Sequence, residues 1–539
     1  MNSLKKQILL PGLIFLSTLL MVGCKKLELD KIAQSAWNPN LAVPLAHANF
    51  GVYDILALQD SNDIVVMDPA TGAIALMYNG EIVSYDAQSI VQLQNQNEQV
   101  NLSLAELNVP ALPAFNGSAT ATNSEDIDFS TNTGVQLHQV MFKGGTLSAS
   151  VSTTLKHDVS IVISFPGLTI NGAAVTRTVN LTYTGNTPQT GSVSIDLTNV
   201  LADFTLGNTT FNRFKINMQT TITGTGQEVA GTEDIDLNFG FTNLAFENAR
   251  GYFGQQNLGI SNDSILLRLF ESATVGHFEL INPKVRFIVD NSFGFPVRIN
   301  FAEMKTINAG TGQEYPLTGF PSQLNINYPA AMGQSANTVL ELNTSNTANL
   351  STIISPVPKF FYFEASATSN PNGMPATLNF IEDDSKFRVR TEIELPLEGL
   401  AYGFELKDTV EFNFSENVSN IESVMFRVNI DNGFPVDFLT QIQCMDQNYQ
   451  PLFNLMASPQ NLVQSALVDN AGKVNKRTKK ITDISLTPAQ IAQLPNVKYL
   501  LINGVAQTLN GTSGQIVKFY DSYKLGLKLG MQVQGNVGF

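Results

Sequence analysis

Four histidines, two cysteines and 46 carboxylates are the side chains of this 539-residue sequence with the chemistry for proton transfer, nucleophilic attack or metal ligation. The histidines, His47, His138, His157 and His277, fall nowhere at metal-ligand spacing, and His-x-x-x-His, Cys-x-x-Cys and Gly-x-Ser-x-Gly are all missing. His157 lies on the apolar parity of its strand beside Asp158, a carboxylate that could orient an imidazole as a base. A strand-end histidine with a satisfied hydrogen bond is the simpler reading. Asp126 and Asp128, with Glu125 near them, and the run Glu382-Asp383-Asp384 could bind calcium weakly, although solvated turns explain both. Paired glycosidase carboxylates cannot be recognised from spacing alone. The expectation is no catalytic site, no metal and no cofactor beyond a lipid.

That lipid is indicated by the cysteines. Met21-Val22-Gly23-Cys24 resembles a lipobox, with a large apolar residue three positions before the thiol and a small one directly before it. Lys5 and Lys6 precede it, and the apolar stretch Leu9–Val22 is broken by Pro11, Gly12, Ser17 and Thr18. A stop-transfer helix needs about 20 apolar residues, so residues 1–23 read as an export signal. Cys24 is then expected to carry covalent diacylglycerol and an N-acyl chain. A plain signal peptide with a chance cysteine, or an uncleaved anchor, fits the spacing less well. No aspartate follows Cys24, which directs the expectation to the outer membrane, on its periplasmic face or at the cell surface. Cys444 then has no disulfide partner, so the fold must rest on burial; in its alternating segment Cys444 reads as a small buried filler.

The charge excludes one class of partner. Lys and Arg number 31 against 46 Asp and Glu, a net −15 that becomes −17 once Lys5 and Lys6 leave with the signal. An acidic chain with charged residues at 14% has no electrostatic footprint for nucleic acid. Its polar surface comes from Asn, Thr, Ser and Gln, as in Asn343-Thr344-Ser345-Asn346-Thr347.

Period-two alternation dominates and predicts an all-β fold of long antiparallel strands, each with one buried face. Val159, Ile161, Ile163 and Phe165 share one parity, as do Phe214, Ile216 and Met218. Asp68-Pro69-Ala70-Thr71-Gly72 reads as a hairpin turn between Ile64–Met67 and Ile74–Tyr78. Thr487-Pro488 starts a short helix running to about Gln493, with Thr as N-cap and Pro at the first helical position. Long strands are expected at Ile235–Phe241, Phe387–Leu397 and Tyr523–Phe539. The last ends on an aromatic, as a closing strand of an outer-membrane barrel does, but the lipobox and the turns favour a soluble body.

The second half contains an internal repeat. Val285-Arg286-Phe287-Ile288-Val289-Asp290-Asn291, then Gly294-Phe295-Pro296-Val297, matches Phe426-Arg427-Val428-Asn429-Ile430-Asp431-Asn432, then Gly433-Phe434-Pro435-Val436. Asp263–Leu269 matches Asp408–Phe414, and Pro358 matches Pro495. The order is conserved while the offset falls from 152 (Ala249 to Ala401) to 137 (Pro358 to Pro495), as loop deletions produce. The unit is a β module of about 140 residues, present twice. In each copy Asp-Asn is expected to end a strand in a left-handed turn. The glycine would supply free φ, Pro296 or Pro435 would open the next strand, and Phe295 or Phe434 would plug the core. An Asp-Asn pair as a calcium ligand is the weaker reading.

The lipobox, Trp37-Asn38-Pro39 followed by Ala42-Val43-Pro44-Leu45, and Asn291-Ser292-Phe293-Gly294-Phe295-Pro296 resemble uncharacterised surface or periplasmic lipoproteins of Bacteroidota. Asn282-Pro283 through Ile299 resembles the immunoglobulin-like module of late-embryogenesis-abundant proteins, over about 20 residues per repeat. The expected organisation is signal 1–23, tether 24–36, an N-terminal all-β domain 37–241 and two β-sandwich modules, 242–397 and 398–539. The expected function is a non-catalytic lipoprotein, held to the membrane by its anchor, that binds or scaffolds an outer-membrane protein partner. A hydrolase of glycan or lipid and a lipid carrier are the alternatives. Trp37 is the single tryptophan available as a sugar platform, so a glycan or lipid ligand is left open.

Overall fold

A computed structural model describes residues 40–56, 64–260, 263–267, 276–308, 310–412, 418 and 421–535. The fold is all-β, built from several antiparallel sheets. It opens with β1 (Asn40–Gly51), helix α1 (Val52–Leu56), β2 (Val65–Met67), β3 (Ile74–Asp86) and helix α2 (Ala87–Ile90). The hairpin between β2 and β3 forms as the sequence predicts. Asp68 accepts from the Ala70 amide and the Thr71 hydroxyl, and Gly72 takes φ +73°.

An N-terminal sandwich follows: β4 (Gln96–Ser103), β5 (Ser118–Asp128), β6 (Gln136–Thr153), β7 (Asp158–Ile170), β8 (Ala173–Leu181), β9 (Gln189–Asp196), β10 (Leu201–Asp203), β11 (Arg213–Thr223) and β12 (Asp234–Tyr252). One layer runs β4–β12–β6–β9 and the other β8–β7–β11–β5, while β10 pairs with both β6 and β7 and makes the corner. The apolar parities turn inward. Phe165 on β7 meets Phe239 on β12 edge-on at 6.0 Å, and Phe214 on β11 meets Phe241 on β12 at 5.4 Å. All four rings are buried, each contributing about 2–3 kcal/mol of burial.

The first repeat holds β13 (Asn257–Leu258), β14 (Asp263–Leu266), β15 (His277–Leu280), β16 (Lys284–Asn291), β17 (Val297–Asn308), β18 (Glu314–Pro316), β19 (Gln323–Ile326), β20 (Ala336–Leu342), α3 (Leu350–Ile354), β21 (Pro358–Ser369), β22 (Asn379–Glu382) and β23 (Lys386–Pro396). After β24 (Glu398–Tyr402), the second holds β25 (Phe404–Glu411), β26 (Ile421–Asn432), β27 (Val436–Met445), β28 (Pro451–Asn454), β29 (Gln460–Val463), β30 (Leu467–Val468), β31 (Val474–Lys476), β32 (Thr478–Ser485), α4 (Pro488–Gln493), β33 (Tyr499–Thr508), β34 (Val517–Lys518) and β35 (Lys524–Gly535). Helix α4 starts with the expected Thr487, in a full capping box with Gln490.

Strand pairing is the same in the two copies. β14–β21–β17 with β18 and β19 on the far edge corresponds to β25–β33–β27 with β28 and β29. Val297 faces Ser369 as Val436 faces Thr508, an offset of 139 on both sides. The second sheet is β20–β16–β23 in one copy and β32–β26–β35 in the other. Each of these sheets is completed from the far N-terminus, by β3 on β23 and by β1 on β35. Tyr85 faces Phe387 across from Asn291, and Phe50 faces Leu525 across from Asn432, so β1-α1 and β3-α2 form a small repeat of their own.

These pairings depart from the division read in the sequence. β1 and β3 lie within 37–241 but finish the sheets of the two modules. The 241/242 boundary falls inside β12, whose first half pairs with β4 and whose second half pairs with β22. β24, assigned to the second module, joins the two, pairing with β15 of the first and with β34 of the second. The physical reason is that a sheet edge is satisfied by whichever strand reaches it, not by its sequence neighbour.

The repeated turn also works differently from the expectation. Neither Asp290-Asn291 nor Asp431-Asn432 has positive φ, and neither does Gly294 or Gly433. Instead the asparagines are buried and tie the strand end to a loop. Asn291 accepts from the Phe293 amide at 2.9 Å and donates to the Asn327 carbonyl at 3.0 Å. Asn432 accepts from the Phe434 amide at 2.8 Å and donates to the Gln464 carbonyl at 2.9 Å. The glycines are needed for close approach. A Cβ on Gly294 would lie 2.4 Å from the Phe380 ring, and one on Gly433 would lie 2.7 Å from the Lys524 carbonyl oxygen. Pro296 and Pro435 immediately precede β17 and β27, and Phe295 and Phe434 are buried.

Candidate functional site

Period two sends the asparagine of each Asp-Asn pair into the core and the aspartate onto the outer face of the sheet. The charges of the repeat gather on those outer faces. On the first module, Arg286 stands on β16 between Glu341 on β20 and Glu392 on β23. Its Nε donates to Glu341 at 2.8 Å and its Nη2 to Glu394 at 2.7 Å, with Glu392 at 3.8 Å from Nη1. Lys284 reaches Glu394 at 3.1 Å. Burial works against the Arg286 charge, but the bonds from Glu341 and Glu394 outweigh it and hold the guanidinium above its usual range. The Glu341 carboxyl is held below its ordinary value by hydrogen bonds from Asn343 and then Arg286. Burial would raise Asp290, yet donors from Asn337 and Arg390, each at 2.8 Å, leave it lowered.

The second module repeats the motif. Arg427 grips Asp483 with two parallel bonds of 2.7 and 2.6 Å, which lower the Asp483 carboxyl and raise the guanidinium. Asp431 accepts from Arg477 at 2.8 Å. Arg-x-x-x-Asp-Asn occurs at the same place in both copies, and that spacing was the signal available in the sequence for these faces. The central strand then differs. Where β23 presents Lys386, Arg388, Arg390 and Glu392, β35 presents Lys524, Gly526, Lys528 and Gly530.

Such an arrangement can bind but offers little for proton transfer, because its carboxylates are engaged by fixed cations. No known family profile matches the chain. No curated protein matches it either. Among solved structures, a predicted secreted protein from Parabacteroides distasonis is similar over 52% of this chain and 83% of its own, with 15% identity and a TM-score of 0.29. A likeness at that TM-score carries no argument. None of these comparisons supports the likeness of Asn282–Ile299 to the late-embryogenesis-abundant module.

The residues chosen from the sequence stay apart. Cys24 and Trp37 lie outside the described residues, as do positions 536–539 of the last strand. His47 is exposed on the outer face of β1, His138 lies on β6, and His277 stacks on Tyr402 at 4.7 Å. His157 is buried at the start of β7; its Nδ1 accepts from the Thr225 amide at 3.1 Å, so the proton sits on Nε2. Burial holds this imidazole below its usual range against the pull of Glu233 and Asp158. Asp126 and Asp128 pair across strands with Lys215 and Arg213, and Asp383 pairs with Lys143. Cys444 is buried on β27, and burial pushes its thiol up to about 12. Among the described residues, no three His, Cys, Asp or Glu side chains gather as a metal site, and no helix is long and apolar enough to cross a membrane. A recess beside β24, lined by Phe278, Leu280, Leu397 and Phe519 among others, has free room of about 20 Å³, the space of one water.

Proposed function

We propose that this chain is a lipid-anchored outer-membrane protein that acts without catalysis, as a binding or scaffolding body beside an envelope partner. The observation that carries the reading is the duplicated sandwich with a packed interior and a charged outer sheet face. Small-molecule sites are concave and largely apolar, whereas flat faces of mixed charge suit macromolecular partners. Phe287 packs on Phe301 at 5.0 Å and on Phe363 at 5.5 Å between the layers of the first module, which supports a packed body over a hollow lipid carrier. The Met21-Val22-Gly23-Cys24 sequence supports the anchor.

One observation favours the hydrolase alternative, the convergence of Glu341, Glu392 and Glu394 on one face. A glycosidase needs one of its acids protonated near neutral pH. Glu341 is held the other way. The anchor is tested by Cys24→Ala: labelled palmitate should no longer be incorporated, and the protein should leave the membrane fraction or remain an unprocessed precursor. Unchanged labelling and fractionation would refute it. Turnover of an envelope glycan lost on Glu341→Gln or Glu394→Gln would replace the binding reading with the enzymatic one.

A further inference from the structure

We propose that the outer face of the β1–β35–β26–β32 sheet docks on an anionic lipid surface. The chain is acidic, yet five of the eight residues from 473 to 480 are basic: Lys473, Lys476, Arg477, Lys479 and Lys480. That segment leads into β32, the edge strand of this sheet. On the face beside it, Lys524 and Lys528 alternate with Gly526 and Gly530 along β35, so two lysines rise from a floor with few side chains.

The other module supplies an internal comparison. Its equivalent four-stranded face sets five cations (Lys284, Arg286, Lys386, Arg388, Arg390) against six carboxylates, and most of them are interlocked. The second face sets Arg427, Lys479, Lys524 and Lys528 against Asp431 and Asp483. Lys476, Lys524 and Lys528 have no ion-pair partner among the described residues, and Lys479 stands 3.9 Å from Asp431. Ile481, 60% exposed, stands among the basic residues of β32. Val339, 51% exposed, holds the same position on β20, so the two copies differ in charge: one fold carries a balanced surface in one copy and a positive surface in the other. Cations around an apolar residue match a sheet of phosphates over hydrocarbon.

The occupant is also set by chain length. β1 belongs to this sheet and starts at residue 40, 16 residues after Cys24. Sixteen residues span at most roughly 55 Å when extended. On the anchored reading proposed above, this sheet is tied directly to the bilayer, while the balanced face reaches it only through the rest of the body. Fixed charges matter within about 8 Å of the surface at physiological salt, so the short tether and the basic face act together.

The test uses the mature chain, residues 24–539 with Cys24→Ala, so that neither acyl chain nor signal contributes. Co-sedimentation is measured with vesicles of phosphatidylcholine alone and of phosphatidylcholine with phosphatidylglycerol in a 7:3 ratio. Binding to the mixed vesicles and not to the neutral ones is expected, and it should fall steeply with added salt. Replacing Lys476, Lys479, Lys524 and Lys528 by Gln should weaken it by at least about a hundredfold, taking about fivefold per lysine. Replacing Lys143, Lys156, Lys386 and Lys407 by Gln makes the same change in net charge and should leave it within a few fold. Equal binding to both vesicle types, no binding, or equal loss in both quadruple variants would overturn the proposal. The palmitate experiment reads the anchor separately, so failure of one is distinguishable from failure of the other.

Discussion

Asn291→Ala should be among the costliest single changes available in the first module. The side chain is fully buried and makes two hydrogen bonds, accepting from the Phe293 amide and donating to the Asn327 carbonyl. Truncation to Ala leaves the buried Phe293 N–H without its acceptor and the part-buried Asn327 C=O without its donor. A buried orphaned group costs about 1–3 kcal/mol and the carbonyl of exposed Asn327 falls at the low end, about 1, so the pair costs about 2–4 kcal/mol before any loss of packing. Phe293 stacks on Phe295 at 5.2 Å and on Phe387 at 6.2 Å, which keeps water from the Phe293 N–H. Asn432→Ala should cost as much or more, because its amide also donates to the Phe434 and Val436 carbonyls. Equilibrium unfolding in urea, followed by tyrosine and tryptophan fluorescence, measures both. A shift below about 0.5 kcal/mol in either variant, the range of an ordinary surface substitution, would refute the reasoning.

Arg286→Met should destabilise by about 1–3 kcal/mol and flatten the acid limb of the stability curve. Glu341 has a depressed carboxyl in the folded state, so its contribution is present above the unfolded value near pH 4.5 and is lost as pH falls through the folded one; urea midpoints across pH 3–7 check this. Arg286→Lys should rescue only part, since an ammonium cannot reproduce the forked contacts. Cys444, with its thiol pushed up to about 12, should resist an aromatic disulfide reagent at pH 8 in the native protein and react at once in denaturant.

The local parts of the fold were legible because they depend on neighbours in sequence. Alternation at Val159–Phe165, the Asp68–Gly72 turn and the Thr487 cap each need only a few residues, and the structure places them as read. The repeat was legible too, since its pattern is written twice. The completion of its sheets by β1 and β3 was not, because nothing in Asn40–Gly51 names Lys524–Gly535 as its partner. Gly294 was assigned to the wrong cause: its spacing fits a turn, while the Phe380 ring that forbids a side chain there lies 86 residues on. The convergence of Glu341, Glu392 and Glu394 on Arg286 was hidden for the same reason, being a property of register between three strands.

The pairing of β1 with β35 has a consequence for how the chain is made. β1, the first of the described strands to leave the ribosome, finds its neighbour only when β35 has followed it. Until then β1 is an unpaired edge with alternating apolar residues, and the second sandwich is open on one side. A chain cut short anywhere before Lys524 leaves β1 without its partner. Once β35 arrives, β1 is stitched to the opposite end of the polypeptide by eleven register pairs. A pull along the strand on the chain preceding β1 then loads those pairs in shear, so that they resist together rather than open one at a time.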